Sequence, residues 1–240
     1  IPGARYAHLD DDLAAPVTEL SGRHPLPGEK EFAAFLASIG WAPDKLLVAY
    51  DDASNAIAAR LWWLMRYFNQ PASLLDGGFA AWKRAGLPVV SGHEIMIASD
   101  PVTLTANPGL VVSTEDISRD YSSGRVKVMD ARAAERFSGQ VEPLDTKAGH
   151  IPGAWNRPFQ LNLDKNVCFK APELLAQEFN ALLKGRKPDQ VAHSCGSGVT
   201  ACHNFFAMEL AGMSPTRLYP GSWSEWIRDP DRPIETGPGQ

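Results

Sequence analysis

The sequence has few cysteines, no excess of positive charge and no long apolar run, and each absence excludes a class of protein. Three cysteines in 240 residues make no regular disulfide framework and are typical of a reducing compartment. The chain has 23 lysine and arginine residues against 28 aspartate and glutamate residues, which gives a net charge of −5. Because it also contains no run of basic residues, we expect no nucleic-acid partner. No apolar stretch approaches the roughly 18 residues of a membrane span. We therefore expect a globular cytoplasmic protein that binds no membrane.

The sequence also lacks the spacing of a metal site. His203 lies beside Cys202, but no Cys-x-x-Cys pair or second nearby histidine completes a ligand set. Cys202 falls inside a helix-like run and is interpreted as a core residue, not as a second reactive thiol. We expect neither a metal nor a cofactor.

Two segments of the chain repeat, which indicates a duplicated fold. Ile1-Pro2-Gly3-Ala4 recurs at 151–154, and Gly77–Trp82 resembles Gly221–Trp226. Between these anchors both halves show the order helix, strand, helix, strand, helix. Strands alternating with helices indicate α/β domains, each with a parallel sheet covered by helices on both faces. We place the domains at 1–93 and 107–240, with a Gly-, Ser- and Pro-containing linker at 94–106.

Apolar periodicity and the position of proline define the individual elements. The predicted helices are 29–38, 56–68, 79–85, 114–121, 172–184, 199–211 and 223–228, and the predicted strands are 46–50, 73–75, 126–129, 190–193 and 216–219. The front of the second half, 114–137, has no counterpart in the first. We therefore expect the first domain to lack its N-terminal strand and helix here, and the natural protein to extend before Ile1.

A glycine-containing loop follows the strand at 190–193 and precedes the helix at 199–211. Cys195–Thr200 reads Cys-Gly-Ser-Gly-Val-Thr. A thiol at such a turn faces unpaired backbone N–H groups and the positive end of the helix dipole, and both favour its anionic form. We predict that Cys195 is a nucleophile, and that its substrate lies against loop residues Gly196, Gly198, Val199 and Thr200.

These motifs resemble the tandem-domain rhodanese family over nearly the whole chain. The resemblance rests on Gly149–Ala154 and on the loop Cys195–Thr200 followed by Ala201. It implies two α/β domains of which only the second carries the nucleophile. Asp51 follows the strand at 46–50, where Cys195 follows its own strand, so the first domain is expected to be catalytically silent.

Within the family, the loop resembles the subgroup of sulfurtransferases that take sulfur from 3-mercaptopyruvate. The resemblance implies that Ser197 relays a proton with His24 and Asp10 of the first domain, and that Arg136 binds the substrate. The family's second substrate-binding arginine falls at position 145, which is Asp145 here. Either Arg132 or Arg157 replaces it, or the preferred donor differs.

Three function classes follow from these residues. The leading one transfers sulfane sulfur from 3-mercaptopyruvate through a Cys195 persulfide to cyanide or a thiol, such as thioredoxin or a small thiol. Thiosulfate is the alternative donor within this class, and a non-catalytic sulfur-carrier or binding module is a separate class. A phosphatase that shares the fold would need arginine at position 201, where this chain has Ala201.

Overall fold

Strands and helices alternate along the chain in two α/β halves, as the repeat predicts. The computed structural model describes residues 1–92 and 97–239. Its helices are α1 Glu29–Ser38, α2 Ala58–Tyr67, α3 Gly78–Arg84, α4 Thr114–Asp120, α5 Ala134–Phe137, α6 Pro172–Leu183, α7 Ala201–Leu210 and α8 Ser222–Trp226. Its strands are β1 Leu47–Ala49, β2 Ala72–Leu74, β3 Lys127–Asp130, β4 Trp155–Asn156, β5 Val191–Ser194 and β6 Arg217–Leu218. Short 3-10 turns lie at Pro108–Leu110, Phe159–Asn162 and Pro188–Gln190.

The second half contains a four-stranded parallel sheet in the order β4-β3-β5-β6. Its central pair aligns Lys127 with Val191 and Asp130 with Ser194. Because all four strands are parallel, their carboxyl ends meet at one edge, and Cys195 follows β5 directly at that edge. This edge positions the loop of the candidate site.

Helices cover both faces of this sheet. Val128 and Ala192 pack on one face against Ile117 of α4 and Trp223 of α8. Met129 and Val191 pack on the other face, together with residues of α6 and α7. Successive strand residues therefore point into opposite cores, which explains why these strands read as continuous apolar runs. The predicted α/β class with parallel sheets is confirmed.

The first half contains the parallel pair β1-β2 within the described residues, with Leu47 opposite Ala72. Its helices bury Phe32 and Leu36 of α1 and Trp62 and Trp63 of α2. The predicted linker at 94–106 begins at residues that lie outside the described ranges, and the predicted domain limits stay predictions.

A single apolar cluster joins the two halves. It contains Trp62 and Trp63 of α2, Phe205 of α7 and Cys195 itself. The loop that follows β5 is thus built into the contact between the halves, so residues of the first half lie against it. None of the helices within 1–92 and 97–239 combines the length and the apolar composition that a membrane span requires.

Candidate active site

The loop Cys195–Thr200 wraps around a buried thiol between β5 and α7. Cys195 is 2% exposed and Ser197 is 6% exposed. The Ser197 N–H points at the Cys195 Sγ from 3.4 Å. Gly198 has a φ of +77°, and a side chain there would clash with the Pro220 carbonyl. Only glycine therefore allows the turn that leads the chain from the thiol into α7.

Several backbone N–H groups around the thiol have no acceptor among the described residues. They belong to Gly196, Gly198, Val199, Thr200 and Ala201. Four of these five residues are buried, Thr200 being partly buried, and the positive end of α7 lies behind them. Unpaired buried N–H groups at a helix N-terminus make a cradle for an anion.

Helix α8 holds this loop in shape. The Cys195 N–H donates to Ser222 Oγ at 3.1 Å, and the Trp223 and Ser224 N–H groups donate to the Cys195 and Gly196 carbonyls at 3.0 and 2.9 Å. The Ser224 hydroxyl oxygen also accepts a hydrogen bond from the backbone N–H of Arg23 at 3.0 Å. One helix therefore anchors both the thiol loop and the segment of the first half that faces it.

Asp10, His24 and Ser197 form a chain of hydrogen bonds across the two halves. His24 Nδ1 lies 2.7 Å from Ser197 Oγ, and His24 Nε2 lies 2.9 Å from Asp10 Oδ1. The Asp10 carboxylate accepts from Nε2–H, which leaves Nδ1 as the acceptor for the serine hydroxyl. The structure brings together these three sequence-predicted residues beside Cys195.

The environment of His24 keeps the imidazole neutral. Burial lowers the pKa of His24, although the Asp10 hydrogen bond and charge act in the opposite direction. At neutral pH the ring therefore has a free Nδ1 lone pair and can take up a proton that arrives through Ser197.

Two guanidinium groups face Gly196 at the mouth of the loop. A Cβ placed on Gly196 would lie 2.9 Å from Arg23 Nη2 and 3.5 and 3.7 Å from Arg136 Nη2 and Nη1. Arg23 pairs with Asp145, and Arg136 pairs with Glu142 at 2.7 Å and with Asp145 at 3.3 Å. Burial and the neighbouring Arg136 charge lower the pKa of Arg23, although a guanidinium keeps its proton at neutral pH.

Although Asp145 stands where the family has its second substrate-binding arginine, the site contains two arginines, because Arg23 of the first half lies beside Arg136. The carboxylate lies between Arg136 of the second half and Arg23 of the first, and its side chain is only 4% exposed. Arg23 Nη2 and Arg136 Nη1 have no acceptor among the described residues. Both nitrogens therefore keep N–H groups that can donate to an anion close to Gly196.

The other two arginines considered as replacements have their guanidinium groups bound to protein acceptors. Arg132, 3% exposed, donates to Asp130, Glu142 and the Gly149 carbonyl. Arg157 donates to Glu178, to Asn162 and to the Leu161 carbonyl. The guanidinium of Arg132 supports Glu142, which in turn holds Arg136, so Arg132 reaches the site through other side chains.

Sequence reasoning did not single out Arg23. The sequence did contain a signal for it, because Arg23 immediately precedes His24 and therefore lies on the same segment as a predicted site residue. Its partner, Asp145, was identified as a departure from the family pattern, but nothing in the sequence connects the two positions.

The first half contains an internal comparison for the thiol loop. Asp51 follows β1 as Cys195 follows β5, and its Oδ1 accepts from the N–H groups of Ala53 and Asn55 at 2.9 and 2.7 Å. Its Oδ2 accepts from Ile57 and Ala58 at 2.8 and 2.9 Å. A carboxylate thus fills the anion cradle of the first half, whereas the cradle around Cys195 is open.

We expect Asp51→Ala to destabilise the protein because four backbone N–H groups lose their acceptor. The free energy of unfolding should fall by about 2–4 kcal/mol, measured by urea denaturation. The exposed neighbour provides the control, since Asp52→Ala should change stability by less than about 0.5 kcal/mol. Equal stability of the two variants would contradict this role of Asp51.

The remaining cysteines are not arranged as a second reactive group. Cys202 is fully buried, its Sγ donates to the Gly198 carbonyl at 3.3 Å, and burial raises its pKa to about 12. Cys168 is partly buried, and burial followed by the charges of Asp76 and Asp164 raises its pKa. Within 1–92 and 97–239, no cluster of three or more His, Cys, Asp or Glu side chains could hold a metal ion.

Comparison with known proteins identifies the family. The model of the rhodanese-like domain matches residues 1–85 and 113–229. A probable 3-mercaptopyruvate sulfurtransferase of Pseudomonas aeruginosa is 47% identical, covering 99% of this chain and 84% of that protein. A thiosulfate sulfurtransferase of Mus musculus is 33% identical, covering 95% of this chain and 77% of that protein. The structure of the 3-mercaptopyruvate sulfurtransferase of Leishmania major superposes with a TM-score of 0.80 at 30% identity, over 93% of this chain and 63% of that one.

Proposed function

The chain belongs to the rhodanese family of sulfurtransferases, and on that basis we propose that it takes sulfur from 3-mercaptopyruvate through a persulfide on Cys195. The open N–H cradle around Cys195 carries this proposal. Its counterpart in the first half is filled by the Asp51 carboxylate, so the same loop geometry holds an anion where one is present. A persulfide anion on Cys195 fits the open cradle.

In this proposal Ser197, His24 and Asp10 carry the proton that the reaction moves from the Cys195 thiol to the product. The thiol proton of Cys195 passes through Ser197 to His24, and the thiolate attacks the substrate sulfur. An S–S bond forms, the C–S bond breaks, and its electron pair leaves on carbon as the enolate of pyruvate. The imidazolium then returns the proton through Ser197 to that carbon, while Asp10 stabilises the charged ring.

Arg136 and Arg23 bind the substrate carboxylate in this proposal. Their free Nη atoms face Gly196 from two sides, and Arg132 supports Arg136 through Glu142. The four charged groups Arg23, Arg136, Glu142 and Asp145 sum to zero. Such a neutral set favours a donor with one negative charge over the dianion thiosulfate.

Thiosulfate remains the second candidate donor, because a mouse thiosulfate sulfurtransferase is 33% identical to this chain. The decisive experiment measures kcat/KM for both donors with cyanide as the acceptor, together with the intact mass after the donor alone is added. A gain of one sulfur atom from 3-mercaptopyruvate and a higher kcat/KM for it would support the proposal. No sulfur gained from either donor would overturn it.

The acceptor in this proposal is a thiol. A persulfide sulfur is removed by attack of a thiolate, and a small thiol or a protein thiol such as thioredoxin can supply it. Three free cysteines suit a reducing compartment such as the cytoplasm, where such acceptors are present.

Arg23→Ala is expected to raise the KM for 3-mercaptopyruvate by about thirtyfold or more, because one of two charged contacts to the carboxylate is lost. The kcat should change much less, since Arg23 does not touch the relay. Arg228→Ala is the matched control, because Arg228 donates to the nearby Ser21 carbonyl but is exposed and lies outside the cradle. An unchanged KM in Arg23→Ala would exclude Arg23 from substrate binding.

A further inference from the structure

We propose that Arg60 of the first half is the residue that positions His24 against Ser197, an inference that rests on the proposed function. Arg60 lies on α2, is 0% exposed, and takes no part in the steps described above. It would act through the backbone of the residues it holds, and it would not touch the substrate.

The guanidinium of Arg60 bonds to both sides of the relay. Its Nη1 donates to the Gly198 carbonyl at 3.1 Å, within the thiol loop. Its Nη2 donates to the His24 carbonyl at 3.0 Å and to the Pro25 carbonyl at 3.3 Å. The Leu13 carbonyl accepts from Nε and Nη2 at 3.3 Å, which ties in the segment that follows Asp10.

These bonds set the distance on which the relay depends. His24 and Ser197 are 173 residues apart in the chain, and their side chains meet at 2.7 Å. Arg60 holds the backbone of His24 and the backbone of the residue after Ser197 with one rigid planar group. A shift of either segment lengthens the hydrogen bond through which the proton moves.

An arginine is needed at this place because only its fork reaches these carbonyls together. No carboxylate pairs with Arg60 among the described residues, so backbone oxygens supply its partners. Burial lowers the pKa of Arg60, but the guanidinium remains protonated at neutral pH. A lysine would keep the charge and lose the simultaneous contacts.

A purely structural role predicts a different result from a positioning role. If Arg60 only held the two halves together, its loss would lower the amount of folded enzyme, and the remaining enzyme would react normally. If Arg60 aligns the relay, its effect depends on Ser197, because an absent hydroxyl cannot be misaligned. A double-mutant cycle separates the two roles.

The experiment combines Arg60→Lys with Ser197→Ala and measures kcat and KM for 3-mercaptopyruvate, with rates divided by the moles of persulfide formed. We expect Arg60→Lys alone to lower kcat by about tenfold or more, with KM within about threefold of wild type. In the Ser197→Ala background it should lower kcat by less than about threefold. Arg60→Gln serves as the second variant should the lysine variant fold poorly.

Arg66→Lys is the matched control. Arg66 lies on the same helix and also reaches across to the second half, where its Nε lies 3.4 Å from Glu209. It contacts neither the relay nor the loop, so kcat should stay at the wild-type value. Additive losses in Arg60→Lys with Ser197→Ala would overturn this inference alone, whereas a wild-type protein that gains no sulfur from 3-mercaptopyruvate would overturn the proposed function and this inference with it.

Discussion

Cys195→Ser is expected to abolish sulfur transfer from every donor, with a loss of about 10⁴-fold or more. A serine hydroxyl cannot form the S–S bond on which the reaction depends, even though the open N–H cradle and the relay around it remain. The variant should keep its stability, because the Cys195 thiol donates no hydrogen bond among the described residues, and the backbone bond from Cys195 N–H to Ser222 Oγ does not depend on the side chain.

Intact mass after addition of 3-mercaptopyruvate is the direct readout for this variant. Wild-type protein should gain one sulfur atom, and Cys195→Ser should gain none. Cys168→Ser is the matched control, since Cys168 lies away from the cradle and should leave both the mass gain and turnover unchanged. A gain of sulfur by Cys195→Ser would show that another residue is the nucleophile and would contradict the mechanism.

Ser197→Ala should produce the second-largest effect, and the effect should depend on the donor. We expect kcat with 3-mercaptopyruvate to fall by about 10²–10³-fold, because the carbanion that leaves needs a proton that only the relay delivers. With thiosulfate the leaving group is sulfite, a stable anion that needs no such proton. Turnover of thiosulfate should therefore fall by less than about tenfold.

The ratio of the two losses is the test. Steady-state kinetics with both donors would be compared with Ser194→Ala, whose hydroxyl is buried without a hydrogen-bond partner and precedes Cys195 directly. That variant should keep the donor ratio of the wild type. Equal losses for both donors in Ser197→Ala would show that the hydroxyl shapes the loop and does not move a proton.

Much of the fold follows from local pattern. The helix at 29–38 has the predicted limits, and most other elements begin or end within one or two residues of their predictions. The strand β4 and the helix α5 were not predicted. Helix α5 is a single turn, too short to show periodicity, and the two residues of β4 are defined as a strand by their pairing with β3. Helix α7 begins at Ala201 and not at 199, because the residues before it are used to wrap the thiol.

The candidate site was predicted unevenly. Cys195 could be predicted from six consecutive residues, because a thiol before Gly-x-Gly and a helix has few other uses. The role of Ser197 in the same loop came from the family resemblance. His24 and Asp10 also came from the family resemblance alone. Arg132 was expected at the substrate, yet its side chain is taken up by Asp130, Glu142 and the Gly149 carbonyl.

The sequence by itself predicted Cys195 as the nucleophile and determined the duplicated α/β architecture and the sulfurtransferase family, because short contiguous motifs carry each of these. Only the tertiary structure decided which charges surround the thiol. Arg23 meets Asp145 across 122 residues of chain, and Arg60 meets the Gly198 carbonyl across 138. Contacts of that range depend on how the two halves pack on the cluster around Trp62 and Phe205, and no local pattern of residues records that packing.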